Sequence, residues 1–183
     1  GPRAGGVSDT AGNPQADPSN VRVPLLVRVP LIHSLRALSP DGVSRPRPAG
    51  SGSSWSVHGG PGLSGTLGAE FLPVLAERPV PGRDAGIVLE STLPFSVTLR
   101  VHTNLGQFVS RTRFTVSEQD FARLEAGSAP GSKRLILVWD ARAENGQPVG
   151  TGAYVHHWNV TFFPADGAPR SSTGKAILGI LRP

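Results

Sequence analysis

Apolar and polar residues alternate with period two through most of the apolar stretches of this chain, and that period predicts strands rather than helices. In FSVTLRVHT, Phe95, Val97, Leu99 and Val101 fall on one face and Ser96, Thr98, Arg100 and His102 on the other. Asn104-Leu105-Gly106 then supplies a turn, and QFVSRTRFTV reads as the partner strand. KRLILVWDAR puts Leu135, Leu137 and Trp139 on one face, and YVHHWNVTFF does the same for Tyr154, His156, Trp158, Val160 and Phe162. Between these two, Asn145-Gly146 is a hairpin signal, because both residues tolerate the positive φ of a type I′ turn. Gly150 and Gly152 mark a second bend. GIVLES from Gly86 and KAILGIL near the C-terminal end read as further strands, and Leu67 to Leu75 as a short one. The one helical pattern is EQDFARLEA, with Ser117 as N-cap and Asp120 in the capping-box position.

A further alternation is VRVPLLVRVPLIHSL. Val21, Val23, Leu25, Val27, Val29 and Leu31 hold every second place. Pro24 and Pro30 share the opposite parity and cannot donate to a ladder, so a partner must lie on the other side. Two arrangements follow. The segment is an edge strand of its own sandwich, or it is donated to a neighbouring copy by β-augmentation. Residues 1–20 have the Gly/Pro/Ser/Asp composition of a tail that buries too little to offset its ordering entropy. The expected organisation is therefore a tail at 1–20, an edge or donor strand at 21–38, a loop-rich segment with short strands at 39–85 and a sandwich at 86–183. In the loop-rich segment Trp55 reads as a loop residue. Six or more short strands with regular turn signals predict an all-β, immunoglobulin-like antiparallel β-sandwich with one short helix and an extended N-terminal arm.

Composition supports that picture and removes some chemistry. With 23 Gly and 18 Pro in 183 residues, long helices are disfavoured. The absence of cysteine excludes disulfides, thiolate metal sites and cysteine nucleophiles. No apolar run approaches the ~18 residues of a membrane span. The chain opens on Gly1-Pro2 rather than Met: either a leader was removed, which would place the protein outside the cytoplasm, or Gly1-Pro2 is a cloning scar. The net charge of +5 is nearly all arginine, only Lys133 and Lys175 being lysines. Such a balance suits an anionic partner, an acidic glycan among them. The arginines are scattered, however, with no basic run or aromatic-interleaved stripe, so no specific nucleic-acid partner is expected.

Four motifs invite a chemical reading, and each has a plainer one. HGGPG (His58 to Gly62) matches the oxyanion loop of some α/β-hydrolases, but no G-x-S-x-G follows and no βα alternation exists. His156 and His157 are adjacent on a strand, so they point to opposite faces and cannot share a metal. Asp140 and Glu144 in a turn could face calcium, or simply stabilise the turn. Asn159-Val160-Thr161 is a glycosylation sequon placed awkwardly in mid-strand. No catalytic residue, metal ligand or cofactor is assigned.

The stretch VTLRVHTNLGQFVSRTRF…LILVWDARAENGQPVGTGAYVHHWNV resembles the Ig-like domain of bacterial flagellar hook-capping proteins and related C-terminal modules of bacterial surface and secreted proteins. The matching positions are Asn104, Gly106, Val109, Trp139, Asp140, Asn145, Gly146, Val149, Gly152 and Tyr154, within about residues 86–163. Ala141 stands where that family usually has glycine, and SEQDFARLEAGSAPGS replaces a short linker. The resemblance implies folding roles: Trp139 in the core, Asp140 bonded to the following hairpin, Tyr154 closing the sandwich edge. It implies scaffolding, adhesion or assembly and no chemistry. The expectation is a non-enzymatic structural subunit of a bacterial extracellular or cell-surface filament or appendage, self-associating through the N-terminal arm and sheet edges. Two alternatives stand beside it: a surface or secreted Ig-like module that binds a glycan or protein partner, and a flagellar-hook-type assembly scaffold.

Overall fold

The computed structural model describes residues 30–46, 54–68 and 71–183. Along it run β1 (His33–Ala37), β2 (Val43–Ser44), β3 (Trp55–His58), β4 (Thr66–Leu67), β5 (Leu72–Pro73), β6 (Ala85–Ser91), β7 (Phe95–Thr103), β8 (Phe108–Val116), α1 (Glu118–Arg123), β9 (Glu125–Ala126), β10 (Lys133–Trp139), β11 (Gly152–Phe162) and β12 (Arg170–Ile180). The fold is an all-β sandwich with one short helix. One sheet has the order β1-β6-β10-β3, with β9 added to β10; the other runs β2-β12-β11-β7-β8. Within both sheets the pairing is antiparallel except for two-residue β2, which lies parallel to β12.

The alternation read from sequence is the alternation of burial. Phe95, Val97, Leu99 and Val101 of β7 are all buried, as are Tyr154, His156, Val160 and Phe162 of β11, with Trp158 partly so. They meet Ile87 and Leu89 of β6 and Leu135, Leu137 and Trp139 of β10 across the gap between sheets. The first sheet is buried on its other face as well. There Val88, Ile136 and Val138 form a second cluster with Leu38, covered by Leu75. A strand covered on both sides reads as a continuous apolar run, which is why RLILVW lacks polar spacers. Within β6, Gly86 lies so close to β10 that a Cβ would come within 2.3 Å of the Leu137 carbonyl oxygen.

Three boundaries differ from the sequence reading. Trp55 is no loop residue: it sits on β3, only 5 % exposed, paired with Trp139 in register and stacked on it at 6.2 Å. The last strand begins at Arg170, well before KAILGIL, because eleven residues of β12 pair with β11. The helix ends at Arg123, and Leu124 is already extended. Its N-cap is as expected, with the Ser117 hydroxyl accepting from the Asp120 N–H at 3.1 Å. Segments before residue 85 enter both sheets, as β1 and β3 in one and β2 in the other.

Candidate assembly surface

The residues singled out by sequence lie in three places. The largest group surrounds the β10–β11 connection. Trp139 is fully buried, and its Nε1 donates to the Arg142 carbonyl at 2.9 Å. That bond curls the chain back directly after the strand. Asp140 faces Arg142, whose Nε lies 3.5 Å from Oδ2. Burial pushes the Asp140 carboxyl up, partly offset by the Arg142 guanidinium. Tyr154 stacks edge-on against Trp139 at 5.5 Å, and its hydroxyl donates to the Gly150 carbonyl at 2.9 Å. Gly152 opens β11.

The turn itself differs from a type I′ hairpin. Of Asn145 and Gly146, only Gly146 takes a positive φ, of 84°. Asn145 acts through its side chain, whose Oδ1 accepts from the Gln147 N–H at 3.0 Å. The Ala143 carbonyl accepts from the Gly146 N–H at 2.9 Å, closing the loop. Ala141 occupies the position where the resembled family carries glycine, and it has φ of 60°. The backbone there is left-handed, a conformation that favours glycine. Arg182 donates to the Ala141 carbonyl at 2.9 Å, and the Val149 N–H does so at 2.9 Å. These bonds hold the strained residue in place.

The second group is the β7–β8 turn. Gly106 has φ of 85° and donates to the Thr103 carbonyl at 2.9 Å; Asn104 is exposed beside it. Beyond the turn the β7–β8 register slips between Val101 and His102, leaving Val109 as an extra residue on β8.

The third is the arm. Val21, Val23, Leu25, Val27 and Val29 lie outside the described residues, whereas Leu31 packs partly buried against the main core. Thr92 fixes the point of entry. Its hydroxyl donates to the Pro30 carbonyl at 2.7 Å and accepts from the Ile32 N–H at 3.0 Å, while its own N–H donates to the Ile32 carbonyl at 3.0 Å. From there β1 runs along β6 as an edge of its sheet.

At the edge of the other sheet lies β8, nine residues paired on one side only with β7. Among the described residues, the backbone bond across its free side is that from the Glu144 N–H to the Val109 carbonyl, 2.8 Å. Towards the other end Gly68 packs on the Thr115 backbone, where a Cβ would lie 3.0 Å from its carbonyl oxygen, and between these two points Ser110 to Phe114 make no backbone bond on that side to the described residues.

The chemical candidates resolve into packing. In HGGPG, His58 Nδ1 donates to the Leu75 carbonyl at 2.9 Å. A Cβ on Gly59 would lie 2.6 Å from Leu124 Cδ2, one on Gly60 2.6 Å from Glu125 Cβ, and one on Gly62 2.5 Å from the Arg123 carbonyl oxygen. The glycines are there because the chain after α1 crosses directly over them. His156 points into the core and His157 out to solvent. Asn159 is exposed on β11. No group of three or more metal-ligating side chains occurs among the described residues.

No protein-family model matches the chain, and neither does any curated protein. Among solved structures, dimeric latent PorU from Porphyromonas gingivalis aligns with 57 % of this chain at 14 % identity and a TM-score of 0.35. The alignment spans only 9 % of PorU. The CooA pilin subunit of enterotoxigenic Escherichia coli aligns over 80 % of this chain and 97 % of its own, at 14 % identity and a TM-score of 0.30.

Proposed function

We propose that this protein is a non-enzymatic structural subunit of a bacterial extracellular or cell-surface assembly, and that its copies join by strand donation. The observation that carries the reading is the one-sided pairing of β8, set beside the period-two segment Val21 to Val29 in the sequence. Unpaired strand edges are templates for another chain, and soluble proteins usually blunt them. Here the stretch from Ser110 to Phe114, ~17 Å of strand at about 3.4 Å per residue, has no backbone bond on that side to the described residues. The arm has the matching chemistry. Residues of one parity in a strand turn their N–H groups to one side. With both prolines at even positions, Val21 to Val29 can offer their N–H groups to a single neighbour and leave the proline side facing solvent. Such a head-to-tail contact grows into a filament unless its rotation closes a ring.

The test compares the full chain with one beginning at Pro30, by light scattering and negative-stain electron microscopy. The full chain is expected to form oligomers or filaments. The shortened chain keeps Leu31 and the Thr92 contacts, so it is expected to be a folded monomer. A full chain that stays monomeric sinks strand donation and shifts weight to the second reading, an Ig-like module that binds through its surface.

A further inference from the structure

The outer face of the β8-β7-β11-β12 sheet gathers charge that the sequence keeps apart. In the register of the sheet, Arg111 stands opposite Arg100, Arg100 opposite His157, and His157 opposite Lys175. All four are exposed. They form one row across four strands, ~14 Å long at about 4.8 Å per strand spacing. Arg113 extends the cationic patch along β8, opposite Thr98. Like charges directly opposite on neighbouring strands are destabilising, and the Arg100–Arg111 pair has no ion-pair partner among the described residues. Arg78, Arg83, Arg123, Arg134 and Arg142 all have carboxylate partners. Arg100, Arg111 and Arg113, the other arginines of that stretch, have none among the described residues. Nor does any Asp or Glu lie on the described strands of this face, although Glu144 helps to line the cleft that holds Arg100, Arg111 and Arg113.

Two shallow clefts of about 540 and 470 Å³ share Thr98 and Arg100; the larger also takes in Trp55, Leu72, Thr112 and Glu144 and so runs over the β8 edge. The row next to the cations is uncharged and polar: Thr98, Asn159 and Thr173 stand opposite one another on β7, β11 and β12. We propose that this face binds a linear polysaccharide bearing sulfate or carboxylate groups. The arginines take the anions through paired N–H donors, and the Thr/Asn row meets the sugar hydroxyls. A single-stranded nucleic acid would need aromatic platforms for its bases; the rings on this face, His157, His102 and Phe108, lie away from the Thr/Asn row, and single-stranded DNA in the test separates the two. A lipid surface would use the row on the other flank of the cations, Ile177, Val155, His102 and Phe108, where Ile177 and Phe108 are exposed; the Thr/Asn row favours the polysaccharide, and vesicles in the test separate the two. The proposal uses a face of the sheet and is independent of how copies join.

The test measures binding of the full chain to immobilised heparin, with uncharged dextran, single-stranded DNA and phosphatidylserine vesicles in parallel. Heparin is expected to be retained and released by added salt, with dextran not bound. Arg100→Ser/Arg111→Ser is expected to weaken heparin binding at least tenfold while its thermal midpoint stays level or rises, since the like-charge pair is gone. Arg36→Ser/Arg45→Ser, an equal loss of exposed charge elsewhere, is expected to change binding less than twofold. Equal weakening by both double variants means non-specific charge attraction and overturns the proposal. So does unchanged binding by the first variant, or retention of DNA or vesicles more tightly than heparin.

Discussion

Trp139→Ala is expected to unfold the sandwich at physiological temperature. The indole is fully buried and holds three rings around it: Trp55 at 6.2 Å, Tyr154 at 5.5 Å and His156 at 5.2 Å. Removing a buried tryptophan costs about 3–5 kcal/mol in transfer and cavity terms. Here the Arg142 carbonyl also loses its donor, for about another 1 kcal/mol. Domains have ~5–15 kcal/mol in total, so the loss consumes a large share of it. Trp139→Phe keeps most of the apolar contact and drops only the donor and part of the volume, so it should fall between the two. Urea denaturation of the three forms checks the order. An alanine variant within about 1 kcal/mol of the parent would mean that Trp139 is not the centre of this core.

The second large effect is acid instability through His156. Its ring is buried between Trp55 and Trp139, and neither ring nitrogen has a hydrogen-bond partner among the described residues. Burial, helped slightly by the neighbouring His157, drives its pKa from 6.5 down to about 3. In the unfolded chain the group takes up its proton at ordinary pH values, whereas the folded chain refuses it. The unfolded state therefore binds more protons between pH ~6.5 and ~3, and stability rises with pH across that window. The stabilisation is fully present above pH ~6.5 and is lost as pH falls towards 3, with a full amplitude on the order of 4 kcal/mol. His156→Phe removes both the titration and two unsatisfied polar atoms. It is expected to be at least as stable as the parent at pH 7 and more stable than it at pH 4. Equal steepness of the acid limb in both proteins would show that other groups control it.

How much of this was legible in sequence varied with the kind of signal. β7 and β11 could be read because one face is apolar and the other polar, so alternation gave both the strand and its inward side. β3 could not, since Trp55 and Val57 are only two apolar residues among glycines and serines. The alternation W-S-V-H was its one available sign. The first half of β12, RSSTGKA, has almost no apolar residue at all. It is a strand because β11 holds it, and Gly174 is needed there because Trp158 covers it: a Cβ would lie 2.6 Å from Trp158 Cζ2. The glycines of HGGPG suggested a reactive loop only because the chain that presses on them is more than sixty residues away in sequence. The cationic row was illegible for the same reason. Residues 100, 111, 157 and 175 look scattered along the chain, and only cross-strand register brings them into line.

Strand donation remains the central claim, and competition in trans tests it most directly. A synthetic peptide covering residues 20–32 would be added in excess to the full chain while scattering mass is followed. A second peptide with Val23, Leu25 and Val27 replaced by aspartate would serve as control. If the arm of one copy occupies the open edge of the next, the first peptide should reduce the assemblies towards monomers and the second should leave them intact. Assemblies that persist unchanged under saturating native peptide would contradict donation and place the contact between copies elsewhere on the sandwich.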